Sequence, residues 1–285
     1  ASSAVETEEN KQSIISFLEQ MKKMSHEEID KKLKEFTNKL NDLSSIQSRG
    51  IKYFRISPLS GKPIEAEDKE VAEEGVFSTF EELVKIRWQI KILEAMRTGK
   101  SVNNIPVFDD TLYYGTAREF KQFIIREDLT GFEDEVNGVV GQPFALWFTP
   151  KESYAGSYAG EHGRILTVKV VIRNPMPERE YWHLVDSTLK EFRALTEGQS
   201  LDELPKEILL NLRRKITEEI KRRGYDGIHT LGGSEIIVLD VSNLSIIKER
   251  LIEPNSISQV VPVKDGQEGG IDLSNIDLTL KDDKY

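Results

Sequence analysis

The 285-residue sequence predicts an α+β protein with an antiparallel or mixed sheet. From residue 105 onward, short apolar strand-like runs become frequent. Helical segments fall between these runs without regular alternation, and no Gly-rich loop follows any of them, which argues against a doubly wound nucleotide fold. Before residue 105 the pattern is helical and acidic. The chain therefore divides into a helical accessory region over 1–104, a mixed domain over 105–252 and an extended acidic tail over 253–285.

Taken in order, residues 1–8 are polar and acidic. Residues 10–23 carry Ile14, Ile15, Phe17, Leu18 and Met21 on one helical face. Ser25 and Glu28 have the spacing of a capping box, in which hydroxyl and carboxylate satisfy free amides at a helix start. The helix that follows repeats Ile29, Leu33, Phe36, Leu40 and Leu43 at intervals of 4, 3, 4 and 3, a narrow heptad stripe for helix-on-helix packing. Residues 51–56 read as a strand, 58–63 as a turn and 65–74 as a charged linker. A second capping box, Ser78 and Glu81, opens a helix over 79–98 that stops at Gly99. In the mixed domain, strands are expected at 111–114, 144–148, 165–172, 226–229, 235–240 and 245–249. Helices are expected at 117–123, 151–159, 186–195 and 206–223.

Composition removes several function classes. Net charge is −10, from 39 basic and 49 acidic residues, and the bases on 206–223 are interleaved with acids. The expectation is a solvated face, not a phosphate-binding surface, so nucleic acid is disfavoured as a partner. The sequence has no cysteine, and its four histidines (His26, His162, His183 and His229) have no metal-ligand spacing. No apolar run approaches the roughly 20 residues that span a bilayer, so no membrane partner is expected. The expected setting is soluble, either cytoplasmic or particle-associated.

Three segments carry chemistry together. The first is Thr111-Leu112-Tyr113-Tyr114-Gly115-Thr116, a strand ending in a glycine that lets another group approach the backbone closely. The second, 144–160, is an aromatic strand that stops at Thr149-Pro150, where Thr149 is the expected cap and Pro150 the first residue of a short helix. That helix carries Tyr154 and Tyr158 at i and i+4, on one side. Two aromatic rings beside a backbone corner suit a flat ring ligand, although taken alone the corner favours plain packing. The third runs from Gly224-Tyr225-Asp226-Gly227-Ile228 to Ser234-Glu235-Ile236-Ile237-Val238. A carboxylate such as Glu235 at a strand mouth holds a sugar hydroxyl or stabilises a developing cation.

The order of these segments resembles ADP-ribosyltransferases of the diphtheria-toxin and poly-ADP-ribose-polymerase lineage, most of all the domains in polyvalent proteins of phages and mobile elements. Val168 to Pro175 also resembles the strand ending in Asn-Pro of those domains, and the resemblance covers residues 85–250. It implies two small sheets splayed into a cleft that clamps NAD as substrate, behind an N-terminal helical accessory region. The family's signature is His, Tyr, Glu. By the resemblance, Tyr114 stands at the histidine position and Trp147 at the signature tyrosine, both departures. Gly115 and Thr116 match the Gly-Ser/Thr that follows, with the Gly115 backbone at the nicotinamide amide. Tyr158 matches the tyrosine that stacks on nicotinamide, and Glu235 the catalytic glutamate. The implied function is an NAD-dependent mono-ADP-ribosyltransferase acting on a macromolecular acceptor, in the first place a protein. The two departures leave an alternative, a degenerate domain kept as a structural or interaction module of a phage virion or a delivered protein.

Overall fold

The computed structural model describes residues 16–60, 62–67, 75–102, 105–117, 119, 122–125, 127, 142–195 and 205–252, without the side chains of 193–195 and 206. The expected acidic tail therefore lies outside the described residues. Residues 16–21 form helix α1. The Ser25–Glu28 capping box is made as expected and opens α2, His26–Ser48. Ile29, Leu43 and Ile46 of α2 are buried. Helix α3, Thr79–Arg97, is buried on several sides at once, through Leu83, Val84, Ile86, Trp88, Ile92 and Leu93. Its charged side, with Lys85, Arg87, Lys91 and Glu94, stays exposed, while its apolar residues meet α2 on one side and the main core, through Val84, on the other.

The strand expected over 51–56 is present, and two strands that the sequence does not suggest join it. Strands β1 (Tyr53–Ile56), β2 (Pro63–Ala66) and β3 (Val76–Ser78) form an antiparallel sheet in the order β2-β1-β3. β2 begins at a proline and carries Glu65. Its edge position tolerates both, which hides it from local pattern reading.

The mixed domain holds two further sheets. In one, β4 (Phe108–Thr116), β6 (Arg164–Ile172) and β10 (Leu244–Leu251) run antiparallel in the order β10-β6-β4. In the other, β5 (Leu146–Phe148), β7 (Pro175–Met176), β8 (Gly227–Thr230) and β9 (Glu235–Val238) lie in the order β5-β9-β8-β7, with only the β7–β8 pair parallel. One core packs Leu112, Leu166, Val168, Val170 and Ile172 of the first sheet against Phe148, Ile236 and Val238 of the second. The other face of the second sheet is covered by α5 (Glu178–Leu195) and α6 (Lys206–Arg222), through Tyr181, Leu184, Leu212, Ile216 and Ile220. β8 and β9 are thus buried on both faces; after Glu235, β9 reads as a continuous apolar run, while β8 buries His229 and Thr230 beside Ile228.

Two further readings are corrected. The helix expected over 117–123 is absent among its described residues, 117, 119, 122 and 123. The charged face of α6 is only partly solvated. Arg213 and Arg223 are buried, Arg223 on Glu180 and Glu219, and Arg213 on the Gln142 and Pro143 carbonyls and over the Phe144 ring. A guanidinium with two of its donors on carbonyls and its face on an aromatic ring is held inside without a carboxylate. Among the described residues no helix is long and apolar enough to cross a membrane.

Candidate functional site

The site forms where the two mixed-domain sheets are stitched together at one corner. Tyr113 of β4 and Thr149 exchange backbone hydrogen bonds, Tyr113 N–H to the Thr149 carbonyl at 2.8 Å and Thr149 N–H to the Tyr113 carbonyl at 3.0 Å. Beyond this bridge the strands part. β4 runs on to Gly115 and Thr116, while the other chain turns into α4, Glu152–Ala159. The expected cap is displaced. Lys151 is the residue before the helix, and the Thr149 hydroxyl accepts the Lys151 N–H at 3.2 Å, two residues short of a capping bond. Thr149 is buried and its backbone is committed to β4, so tertiary pairing overrides the local cap signal.

Gly115 lies against α4. A Cβ at this position would stand 1.8 Å from the Ala155 carbonyl oxygen and 3.1 Å from the Ala159 nitrogen. The close approach that the glycine permits is therefore to a helix backbone. Its own N–H and carbonyl point the same way as those of Tyr113, away from β6, because edges alternate along a strand. Thr116 pairs with Arg164 at the end of the sheet and is half-buried.

Glu235 opens β9 opposite Thr230 and is 6% exposed. Its carboxylate accepts a hydrogen bond from the Tyr154 hydroxyl at 3.0 Å. The Tyr154 hydroxyl is in turn 3.0 Å from the Tyr158 hydroxyl, with the two rings edge-to-face at 5.3 Å. Tyr154 has one proton to give. With Glu235 ionised, that proton points at the carboxylate and Tyr158 donates to Tyr154. The result is a three-member chain running from a buried carboxylate to Tyr158, which is 60% exposed.

Electrostatics matches the geometry. Burial raises the Glu235 carboxyl above the ordinary glutamate value of 4.5, and the Tyr154 hydrogen bond pulls it partly back. Burial, the Tyr158 hydrogen bond and the Glu235 charge all raise the Tyr154 hydroxyl, which therefore stays protonated as a donor. Tyr181, buried behind the sheet, is raised by burial and then by the field of Glu235.

The structure thus brings Glu235 and Tyr158 together, through Tyr154, and sets Gly115 against the same helix. Tyr114 points into the core, its ring 5.5 Å from Phe123 and 5.5 Å from Phe148. Trp147 is half-buried opposite Ile237 and packs against the core beneath α5 and α6. Alternation places Trp147 and Glu235 on the same face of their sheet. The residue that sequence reasoning left without a role is Tyr154. Its i, i+4 spacing with Tyr158 is visible, but its contact with a carboxylate 81 positions away is not. Among the described residues no cluster of His, Asp and Glu is arranged to hold a metal ion.

Comparison with known proteins adds little. No family model matches the chain, and no curated protein matches it. A solved structure described as the "Crystal structure of an anti-CRISPR protein" is similar over 51% of this chain and 100% of that one, at 15% identity and a TM-score of 0.28. A likeness this slight carries neither a fold assignment nor a function.

Proposed function

We propose that this chain is an NAD-dependent mono-ADP-ribosyltransferase that modifies a macromolecular acceptor, in the first place a protein. The observation that carries the reading is the buried Glu235 carboxylate, held by Tyr154 beside the exposed Tyr158 ring, near the corner where Tyr113 and Thr149 join the two sheets. A carboxylate in a low-dielectric setting favours positive charge developing nearby far more than it would in water. Glu235 would stabilise the charge that grows on the ribose as the bond to nicotinamide breaks. Nicotinamide leaves with the bonding pair, and an acceptor nucleophile supplies a new pair to the same carbon and loses a proton to solvent. The Tyr158 ring offers a stacking surface for a flat heterocycle. The Gly115 N–H and carbonyl, on the edge of β4 that faces away from β6, suit a carboxamide.

The test is nicotinamide release from NAD by the purified chain beside Glu235→Gln. Gln keeps the shape and still accepts from Tyr154, but it has no charge. Release is expected to fall by about 100-fold or more in the variant. In the wild type it should also fall on acidification, beginning above the pH at which an exposed glutamate titrates, because burial raises the Glu235 carboxyl. Absence of release, together with no NAD-induced rise in melting temperature, would sink the enzyme reading.

A second reading draws on Tyr114 and Trp147, which stand at the two departures from the resemblance and are packed into cores. In that reading the chain is a degenerate module with a structural or interaction role in a phage particle or as a delivered protein. A melting-temperature rise with NAD but no nicotinamide release would select it.

A further inference from the structure

Glu178, the first residue of α5, is 2% exposed and makes more contacts than a helix start requires. Its carboxylate accepts four hydrogen bonds. They come from the Leu231 N–H at 2.7 Å, the Gly232 N–H at 3.2 Å, the Tyr53 hydroxyl at 3.1 Å and the Trp182 indole N–H at 3.4 Å. Burial raises this carboxyl, and the four donors pull it back toward the ionised form.

The turn it holds is unusual. Leu231, Gly232 and Gly233 all have positive φ, at 51°, 62° and 85°. For a leucine this conformation costs about 1–2 kcal/mol, because its Cβ crowds the following carbonyl oxygen. Such a residue persists only where its surroundings over-determine it. The surroundings are visible. A Cβ on Gly233 would stand 2.1 Å from the Phe80 ring, and the Glu178 carboxylate collects the first two N–H groups of the turn. Ser234 closes the loop on the Leu231 carbonyl, and the next residue is Glu235, paired with Thr230. The turn therefore sets where β9 begins, and with it where the Glu235 carboxylate stands relative to Tyr154.

We propose that Glu178 is a positioning residue for Glu235, its carboxylate fixing the left-handed Leu231–Gly232 turn that delivers Glu235 to Tyr154. The inference rests on the reading of Glu235 given above. Gln at 178 has one acceptor oxygen and presents an NH2 group where the second N–H points, so the turn loses half of its anchor. Glu81 supplies the control. It is half-buried and accepts the Glu178 backbone N–H at 2.7 Å, a contact that does not reach the turn.

The experiment measures kcat and KM for nicotinamide release, with melting temperatures, for wild type, Glu178→Gln, Glu81→Gln and the double variant Glu178→Gln/Leu231→Gly. Glu178→Gln is expected to lose about tenfold or more in kcat, with KM for NAD within about twofold. Glu81→Gln should keep its kcat. Leu231→Gly, which occupies the left-handed region without strain, should recover part of the kcat lost in Glu178→Gln. If Glu178→Gln melts below the assay temperature, Glu178→Asp, which keeps the charge but shortens the reach, takes its place with the same selective loss expected. A folded Glu178 variant with wild-type kcat overturns the inference and leaves the reading of Glu235 standing. Equal kcat losses in the Glu178 and Glu81 variants overturn it too, as a general loss of packing. A wild type that releases no nicotinamide overturns the reading of Glu235 and this inference with it.

Discussion

At the scale of single residues, Tyr154 links the chemistry to the scaffold. It stands half-buried, gives its one proton to Glu235 and takes one from Tyr158. Tyr154→Phe keeps the ring and its packing. The Tyr154 hydroxyl makes two hydrogen bonds, one of them to the Glu235 carboxylate, and their loss costs about 2–4 kcal/mol of stability, which a domain of ordinary stability survives. Glu235 would then lose the contact that lowers its proton affinity. Under the proposed function, the expected outcome is a nicotinamide-release rate about tenfold lower, with the acidic limb of its pH profile moved to higher pH. A limb that stays in place would show that Tyr154 does not tune Glu235. The sequence reveals Tyr158 and Tyr154 as a helical pair, but the choice between them needs the position of β9. Tyr114 is the converse case. It stands at a signature position of the resemblance, and the structure turns its ring toward Phe123 and Phe148.

At the scale of elements, the site depends on how closely α4 lies on β4. The helix backbone occupies the space that a side chain at residue 115 would need. Gly115→Ala forces the two elements apart and is expected to cost about 3 kcal/mol, the upper range for overpacking. Gly156→Ala, inside α4 with its nearest neighbour at 3.6 Å, should instead be neutral or stabilising by up to about 1 kcal/mol through helix propensity. Chemical denaturation midpoints for the two variants check the contrast. Equal effects would mean that α4 is free to shift. The helix itself is legible in the sequence, because a stretch of small residues follows an aromatic strand. Its start is not, since Thr149 spends its backbone on Tyr113.

At the scale of the whole molecule, buried acids tie the N-terminal elements to the mixed domain. Glu81 of α3 meets the start of α5, and Glu178 of α5 meets Tyr53 of β1 and the β8–β9 turn. Desolvation pushes the Glu81 carboxyl up to about 8, and the neighbouring Glu178 charge adds to the rise. A folded value above the unfolded 4.5 means that the folded state holds the extra proton between these limits. The stability Glu81 contributes is fully present below about pH 4.5 and is lost as pH rises toward 8, at up to about 1.4 kcal/mol per pH unit. Glu81→Gln mimics the protonated acid and removes that loss. Its melting temperature should fall less than that of the wild type between pH 5 and 8, and parallel profiles would exclude the coupling. His229 acts in the opposite sense. It is wholly buried between Phe80 and Phe108, and burial holds it down to about 3, so its contribution is lost as pH falls below the ordinary histidine value of 6.5.

The sequence by itself determined the α+β class, the capping box at Ser25 and the Ser78 cap, whose Glu81 partner turns instead to the Glu178 N–H, the amphipathic α2 and α6, and the strands around 165–172 and 235–238. All of these rest on periodicity and capping between near neighbours, which the chain carries locally. It also picked out Glu235 and the tyrosine pair, because a carboxylate at the mouth of an apolar strand stands out against its surroundings. Only the tertiary structure decided that Tyr154 meets Glu235, that Gly115 makes room for a helix, that β1–β3 form a sheet inside the helical region, and that Glu178 grips the turn before Glu235. These contacts join residues from 7 positions apart, in the β1–β2 pairing, to 125 apart, between Tyr53 and Glu178. Their partners are set by how sheets and helices pack, and no local pattern encodes that.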